Sequence, residues 1–332
     1  MPEHSAHLNA DPEKVLAPLA ALAEQNGFEV LRENGTCTSD APLGYVKIIQ
    51  ETGGAGIVFG ADTPAKLQSL KDLYAQRIAN IGMLDAIDWE TPEARIPLNQ
   101  RITRVVSKEQ ISKNFMRVRL KGDFTAFTEE GAGLHFRLLF NQSGSARPSL
   151  DDRGITYWPG GPTNWHKPVY TVRAIGPDAD WIDMDVVLHE GGRVTKWCGD
   201  VAAGTEIVVM GPNGGGIPIA SWYGLIGDET ALPVMMRIIE AAPAEASGQA
   251  FIFVRDWDDA QEIQTHSQIQ VSWAQMYKDD PVEAAYMLQP KGDDYHVFFA
   301  AERRQASAAR EVFRERDFAP RLCKSASYWT TK

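Results

Sequence analysis

The segment 225–233 constrains the fold more than any other part of the chain. A short apolar run ends in an acidic turn, Gly-Asp-Glu-Thr at 227–230, and a helical pattern, Pro-Val-Met-Met-Arg-Ile-Ile-Glu, follows at once. A strand that passes through a turn into a helix is typical of an open α/β sheet, which binds ligands at the carboxyl ends of its strands. The segment therefore predicts such a sheet and marks the edge where a ligand would bind.

The rest of the chain divides into three patterns. Downstream of a glycine-rich turn at 211–216, apolar strands (249–254, 268–273, 295–300) alternate with helices (232–242, 281–288, 306–316), which predicts a parallel, Rossmann-like α/β domain over 221–332. Alternating apolar and polar residues at 115–121, 134–140 and 181–188 predict an antiparallel β-barrel over 101–220. The stretch 141–167, rich in Gly, Pro, Ser and Asn, is predicted to be one long loop within it.

The first 90 residues predict a small α+β domain. Helices are expected at 13–26 and 64–81, with two strands, 45–50 and 56–59, joined by the turn Gly53-Gly54. The polar, proline-bearing stretch 88–97 looks like a linker, which places the boundary at 91–100.

Charge and composition exclude several classes of protein. A net charge of −11 over 332 residues argues against nucleic acid as the partner. No apolar run approaches the roughly 20 residues of a membrane span, and the N-terminus does not look like a signal peptide. The three cysteines are widely separated, which predicts neither disulfides nor a metal site and favours the cytoplasm. Residues 303–332, with eight Lys/Arg and three Asp/Glu, have a net charge of +5.

Two motifs in the predicted barrel have residues suited to holding a flavin. Tyr170-Thr171-Val172-Arg173 places an aromatic ring, a hydroxyl and a guanidinium on one strand, and a guanidinium fork suits phosphate. A second strand ends near His189 and is followed by the small residues Gly191 and Gly192.

Together with the 227–233 turn, the strand 297–302 and the terminal Ser-Tyr-Trp at 327–329, these motifs resemble the siderophore-interacting protein family, FAD-dependent ferric-chelate reductases. The resemblance covers roughly residues 100–332 and implies a ferredoxin-reductase-like fold, with a flavin-binding barrel before a domain that binds NADPH or NADH. Residues 13–85 resemble, more weakly, a small domain of unknown function fused to this family. The resemblance also implies a helix that begins after Gly192, whose N-terminus favours the flavin pyrophosphate. The implied catalytic residues are Tyr170 and Thr171. The implied cofactor contacts are Lys167, Tyr170, Thr171, Val172, Arg173, His189, Gly192, Val194, Thr195, Gly227, Asp228, Glu229, Thr230 and Trp329.

The chain departs from the family pattern at four positions. Pro168 stands where the family has the leading Arg of the flavin motif, and Lys167 is the nearest basic residue. Arg193 replaces a Pro beside the pyrophosphate, Ala301 replaces a Gly, and Thr330 replaces a terminal basic residue. These changes concern how tightly the chain binds FAD and which substrate it reduces.

The resemblance implies that a ferric siderophore or another ferric chelate is reduced to Fe(II), with no iron ligand from the protein and with ferredoxin as a possible alternative donor. An anionic chelate is expected near the basic tail, at Arg303, Arg304, Arg321 and Lys324. Periodicity alone favours the alternative that 303–318 is an amphipathic helix whose solvated basic face has no function. Two alternative functions are a flavin reductase for a quinone, haem or free flavin, and a flavin- or chelate-binding protein without turnover.

Overall fold

The computed structural model describes residues 1–12, 14, 17–18, 20–21, 24, 30–41, 43–91, 95–142, 144 and 146–331. Most of the helix predicted at 13–26 lies outside these residues. Two compact units are present: the first comprises Met1–Arg101, Leu138–Pro168 and Val208–Gly211, and the second comprises Ile102–Arg137, Val169–Ile207 and Pro212–Lys332. Within the described residues, no helix has the length and apolar character to cross a membrane.

The first unit contains a six-stranded sheet of order β2-β3-β4-β5-β1-β6. Its strands are β1 Glu3–Leu8, β2 Val30–Glu33, β3 Thr36–Ala41, β4 Gly44–Glu51, β5 Gly54–Gly60 and β6 Ile87–Trp89. The helix Pro64–Asn80 begins at Thr63, whose hydroxyl oxygen accepts the N–H of Lys66, and it packs its apolar face into the sheet's core. The strands and helix predicted between 45 and 81 are confirmed. The linker prediction is wrong at its start, because residues 88 and 89 pair with β1.

The prediction of one long loop at 141–167 is also wrong. This stretch contains the short strands β10 Ser149–Leu150, β11 Thr156–Tyr157 and β12 Trp165–His166. The carboxylate of Asp72, on the helix Pro64–Asn80, accepts both the N–H and the O–H of Thr156 at 2.9 and 2.6 Å. Gln68, one turn earlier, donates to the carbonyl of Gly154. The glycine and proline content predicts turns in this stretch correctly. It does not predict the long-range hydrogen bonds to Asp72 and Gln68, which hold the turns in a defined structure.

The antiparallel strands predicted from residue 101 onward are confirmed. They form an eight-stranded sheet of order β12-β9-β16-β7-β8-β15-β14, in which β13 also pairs with β9. The strands are β7 Gln100–Ser112, β8 Phe115–Lys121, β9 His135–Asn141, β13 Val169–Thr171, β14 Ala174–Ile175, β15 Trp181–Val187 and β16 Glu206–Asn213. Asp183 and Asp185 are buried on β15 and form bidentate pairs with Arg119 and Arg117 on β8, whose side chains stay partly exposed, so both buried carboxylates have a cationic partner.

The second unit contains the predicted parallel sheet, with strand order β19-β18-β17-β20-β21. Its strands are β17 Trp222–Asp228, β18 Ser247–Val254, β19 Gln268–Gln275, β20 Tyr295–Glu302 and β21 Cys323–Trp329. The helix Leu232–Ala241 packs on one face, and the helices Pro281–Met287 and Arg303–Glu315 pack on the other. Each predicted strand and helix of this domain is present within a few residues of its expected bounds. The edge strand β21 was not predicted, because its mostly polar sequence lacks an apolar run.

Candidate functional site

The centre of the site is a chain of three side chains from three strands of the second unit. The register of β13 with β9 places Thr171 opposite His135. Thr171 Oγ1 lies 3.2 Å from His135 Nδ1, and Tyr328 Oη, on β21, lies 3.3 Å from His135 Nε2. The predicted flavin-binding hydroxyl of Thr171 is therefore connected to the terminal aromatic motif through a histidine.

Burial controls the protonation of these groups. It lowers the pKa of His135 to about 4, and the positive charge of Lys324 acts in the same direction. Burial raises the pKa of the Tyr328 and Tyr170 hydroxyls above their usual range. The imidazole is therefore neutral and both phenols keep their protons at neutral pH.

A second cluster lies at the carboxyl end of β17, in the acidic turn. Asp228 is fully buried, and its carboxylate accepts the indole N–H of Trp329 at 2.6 Å and the backbone N–H of Thr230 at 2.8 Å. Burial raises the pKa of Asp228, whereas the hydrogen bonds from Thr230 and Trp329 lower it. Because Tyr328 and Trp329 are consecutive residues, β21 joins this cluster to the Thr171 chain.

The remaining residues of the acidic turn have structural partners. Glu229 lies 2.6 Å from Nε of Arg255, and Arg255 also donates to the carbonyl of Leu188. Thr230 does not cap the following helix, because the N-cap is Ala231 and the Thr230 hydroxyl donates to Asp228.

Arg173, a predicted pyrophosphate contact, is paired with a carboxylate in this structure. Its two terminal nitrogens donate to Glu240 at 2.9 and 2.8 Å, and its Nε lies 4.0 Å from Asp185. Arg237, on the same helix as Glu240, donates to the carbonyl of Val172. The contact of Arg173 with pyrophosphate stays a prediction. In that contact a pyrophosphate would share the guanidinium charge with Glu240 and Asp185.

The second predicted phosphate contact lies at the start of the helix Arg193–Asp200. Gly192 is its N-cap, and a Cβ at this glycine would lie 2.6 Å from Thr195 Oγ1 and 2.8 Å from His189 Cε1. Thr195 does not cap the helix, since its hydroxyl oxygen accepts the N–H of His189. The side chain of Val194 is buried, so any phosphate contact there is through its backbone N–H. The first N–H groups of a helix lack intrahelical partners and can bind an anion.

The predicted basic residues do not form one cluster. Arg303 and Arg304 follow the carboxyl end of β20, whereas Lys324 pairs with Phe298 in the middle of β20 and Arg321 precedes β21. At about 3.3 Å per residue, Arg321 lies roughly 20 Å from Arg303 along the strand direction. Lys167 belongs to the first unit, where its ammonium lies 4.4 Å from the ring centroid of Trp158.

Sequence reasoning did not identify His135 or Glu240 as site residues. His135 lies in a strand that is predicted from its alternating apolar residues, and that pattern does not single out the histidine. Glu240 lies near the end of a predicted amphipathic helix, where an acidic residue is expected to face solvent. The one signal for His135 is a titratable residue at the start of a barrel strand, which alone does not indicate its partner.

Comparisons with known proteins agree with the sequence resemblance. The model of the siderophore-interacting FAD-binding domain matches residues 104–216, and the siderophore-interacting protein model matches residues 220–332. The chain is 32% identical over 232 residues to the ferric vibriobactin reductase of Vibrio cholerae serotype O1, covering 64% of this chain and 83% of that protein. It is 26% identical over 251 residues to the NADPH-dependent ferric-chelate reductase of Escherichia coli K12, covering 72% and 96%.

Solved structures show the same fold. The siderophore utilization protein from T. fusca superposes with a TM-score of 0.62 at 25% identity, covering 73% of this chain and 96% of that chain. The siderophore-interacting protein SipS from Aeromonas hydrophila superposes with a TM-score of 0.57 at 22% identity, covering 72% of this chain and all of that chain. The predicted fold class, a flavin-binding barrel followed by a Rossmann-like domain, is confirmed.

Proposed function

We propose that this chain, which belongs to the siderophore-interacting protein family, is an FAD-dependent ferric-siderophore reductase. The observation that carries the proposal is the continuity of β21: Tyr328 connects through His135 to Thr171 of the flavin motif, and the adjacent Trp329 is bound to Asp228 of the acidic turn. The motif for the flavin and the motif for the electron donor therefore meet on two consecutive residues.

The residues present fit a flavin better at the ring than at the pyrophosphate. Tyr170 offers a half-buried aromatic face beside Phe136, and Thr171 offers a hydroxyl. The helix beginning after Gly192 offers backbone donors, and exposed Arg193 adds a positive charge there. FAD, when bound, supplies the ability to accept a hydride and to pass electrons one at a time. The chain's own residues hold it, shield its ring from water and set the hydrogen bonds around it.

We assign the electron donor from the relatives and from the sheet edge. The reductase of Escherichia coli is described as NADPH-dependent, and we propose NADPH or NADH as donor here, approaching the carboxyl end of β17 at residues 227–230. Ferredoxin is a less direct alternative. We place the enzyme in the cytoplasm, where both nicotinamides are available.

The substrate we propose is an anionic ferric chelate that docks by charge. Reduction to Fe(II) weakens binding by hard oxygen donors, so the metal leaves without any ligand from the protein. Of the predicted basic residues, Arg303 and Arg304 lie at the carboxyl end of the sheet and are exposed, which favours them as the docking pair. We assign flavin binding to residues 101–220 and donor binding to 221–332, with 1–90 as an accessory domain and 91–100 as its linker.

Anaerobic spectroscopy tests the proposal. The purified protein reconstituted with FAD should be yellow, and NADPH or NADH should bleach it. A ferric siderophore should then restore the colour, with two Fe(II) formed for each flavin that is reoxidised, because each ferric ion accepts one electron. The rates of reoxidation by quinone, haem and free flavin, measured in parallel, show whether one of these is a faster electron acceptor. A protein that does not bind FAD, or a bleached protein that reacts with one of these acceptors faster than with ferric chelates, would contradict the proposal.

A further inference from the structure

The ring of His135 is held in one orientation by its surroundings. Gly214 has a φ of 74°, and a Cβ on it would lie 2.8 Å from Cδ2 of His135, so the backbone there packs directly against the imidazole. The ring of Tyr328 meets the imidazole edge-on, with centroids 6.0 Å apart at 85°. Both imidazole nitrogens therefore face defined partners, Thr171 on one side and Tyr328 on the other.

Because the imidazole is neutral, one of its two contacts must be a donated hydrogen bond and the other an accepted one. Burial and the charge of Lys324 lower the pKa of His135 to about 4, and these outweigh a hydrogen bond with the Tyr170 backbone that acts in the opposite sense. A neutral ring has one nitrogen that donates and one that accepts. The hydrogen bond at one nitrogen therefore determines what the other nitrogen can do.

Tyr328 determines which nitrogen accepts. Its phenol is mostly buried and protonated, so its O–H needs an acceptor, and Nε2 of His135 is the contact the structure provides. If Nε2 accepts, the ring hydrogen is on Nδ1 and is donated to Oγ1 of Thr171, 3.2 Å away. The hydroxyl hydrogen of Thr171 is then free to point away from the ring.

We infer that His135 is a positioning residue that makes Thr171 a hydrogen-bond donor toward the flavin, through the directed chain Tyr328 O–H to Nε2 and Nδ1–H to Thr171 Oγ1. The inference rests on the proposed function, and it adds which atom donates and which accepts along the chain from Tyr328 to Thr171. With one lone pair of Oγ1 occupied by Nδ1–H, the hydroxyl hydrogen of Thr171 is available to an acceptor, a role that an unprotonated flavin ring nitrogen would fill.

Nitrogen NMR tests the chain without any turnover. In protein labelled with ¹⁵N-histidine, the spectrum of the Nδ1–H tautomer differs from that of the Nε2–H tautomer and of the cation, and the signal absent from His135→Gln identifies the residue. We expect the Nδ1–H form at pH 7, and a changed Nε2 shift in Tyr328→Phe. An Nε2–H or cationic ring, or spectra identical in the wild type and Tyr328→Phe, would overturn the inference.

Flavin affinity supplies the second test. We expect Thr171→Val and His135→Leu each to weaken FAD binding about 5- to 10-fold, the size of one hydrogen bond. Because both act through the same hydroxyl, the double variant should be no more than twofold weaker than the weaker single variant. A multiplicative loss would show that His135 acts independently of Thr171.

His296 provides the matched control. It is a partly buried imidazole on β20 whose pKa is also lowered to about 4 by desolvation and by the charge of Lys324. His296→Gln should leave both the FAD affinity and the His135 spectrum unchanged, and an effect as large as that of His135→Leu would overturn the assignment. If the wild type binds no FAD, the proposed function fails, whereas the NMR measurement still decides the orientation of His135.

Discussion

The indole nitrogen of Trp329 lies 2.6 Å from Oδ2 of Asp228, although the two residues are 101 positions apart. Asp228 ends the first strand of the parallel sheet and Trp329 ends the last one. A fully buried carboxylate is costly unless it is hydrogen-bonded, and the indole satisfies part of that requirement. The terminal strand is therefore joined to the acidic turn by a side-chain hydrogen bond, in addition to its backbone pairing with β20.

Trp329→Phe should reduce the free energy of unfolding by about 1–3 kcal/mol, because it removes the N–H while keeping an aromatic ring. The measurement is urea denaturation followed by circular dichroism. Trp257→Phe is the control, since Trp257 is 53% exposed and undergoes the same chemical change. Equal stabilities of the two variants would show that the indole bond contributes nothing to the fold.

Glu240→Gln should lower the free energy of unfolding by about 1–3 kcal/mol, because it breaks a bidentate pair with Arg173, whose side chain is 14% exposed. Glu311→Gln makes the same change in an exposed helical pair with Arg314 and should cost well under 1 kcal/mol. Urea denaturation compares them. A smaller loss for Glu240→Gln than for Glu311→Gln would refute a structural role for the Arg173 pair.

Replacing Arg303 and Arg304 together by Gln should raise KM for an anionic ferric chelate several-fold and flatten its salt dependence, because the docking charge is lost. The same change at Arg321 and Lys324 should have a smaller effect. The two pairs are separated by more than a Debye length, about 8 Å at physiological ionic strength. Steady-state kinetics at two salt concentrations distinguish them, and the opposite ranking would move the docking site to the amino end of the sheet.

Acidification should destabilise the protein between about pH 6.5 and pH 4. His296 has a pKa of about 4 in the fold, against about 6.5 in the unfolded chain, so over this window the unfolded chain binds a proton that the folded chain does not. We expect a loss of about 1–2 kcal/mol from this residue between pH 7 and pH 5. His296→Gln should reduce the pH dependence measured by urea denaturation relative to the wild type. Equal slopes for His296→Gln and the wild type would contradict the assignment.

Thr156→Val should loosen the segment 149–157, because Asp72 loses the 2.6 Å hydrogen bond from the Thr156 hydroxyl. Burial already raises the pKa of Asp72, and removing a donor raises it further. Trypsin cleavage after Arg147 or Arg153 should become faster than in the wild type. Thr128→Val, which removes an exposed hydroxyl bond to Thr125, is the control. Unchanged cleavage would mean that other contacts hold this segment.

Local periodicity explains how much of this protein could be read from the sequence. Strand β8 was predicted at its observed bounds because Met116, Val118 and Leu120 alternate with basic residues, a pattern that belongs to the strand itself. The strand-turn-helix at 222–241 was visible for the same reason, since an apolar run, a turn and an amphipathic helix follow one another directly. Strand β21 was missed because its stability comes from its pairing with β20.

The sequence by itself determined the order of domains, most strands and helices, and the motifs that identify the family. The tertiary structure decided which side chains meet: Thr171 with His135, Asp228 with Trp329, and Arg173 with Glu240. These pairs join residues 36 to 101 positions apart, and strand register and helix packing bring them together. A hydrogen bond between distant residues leaves no periodic trace in either segment, so the direction of the Thr171 hydroxyl is a property of the assembled fold.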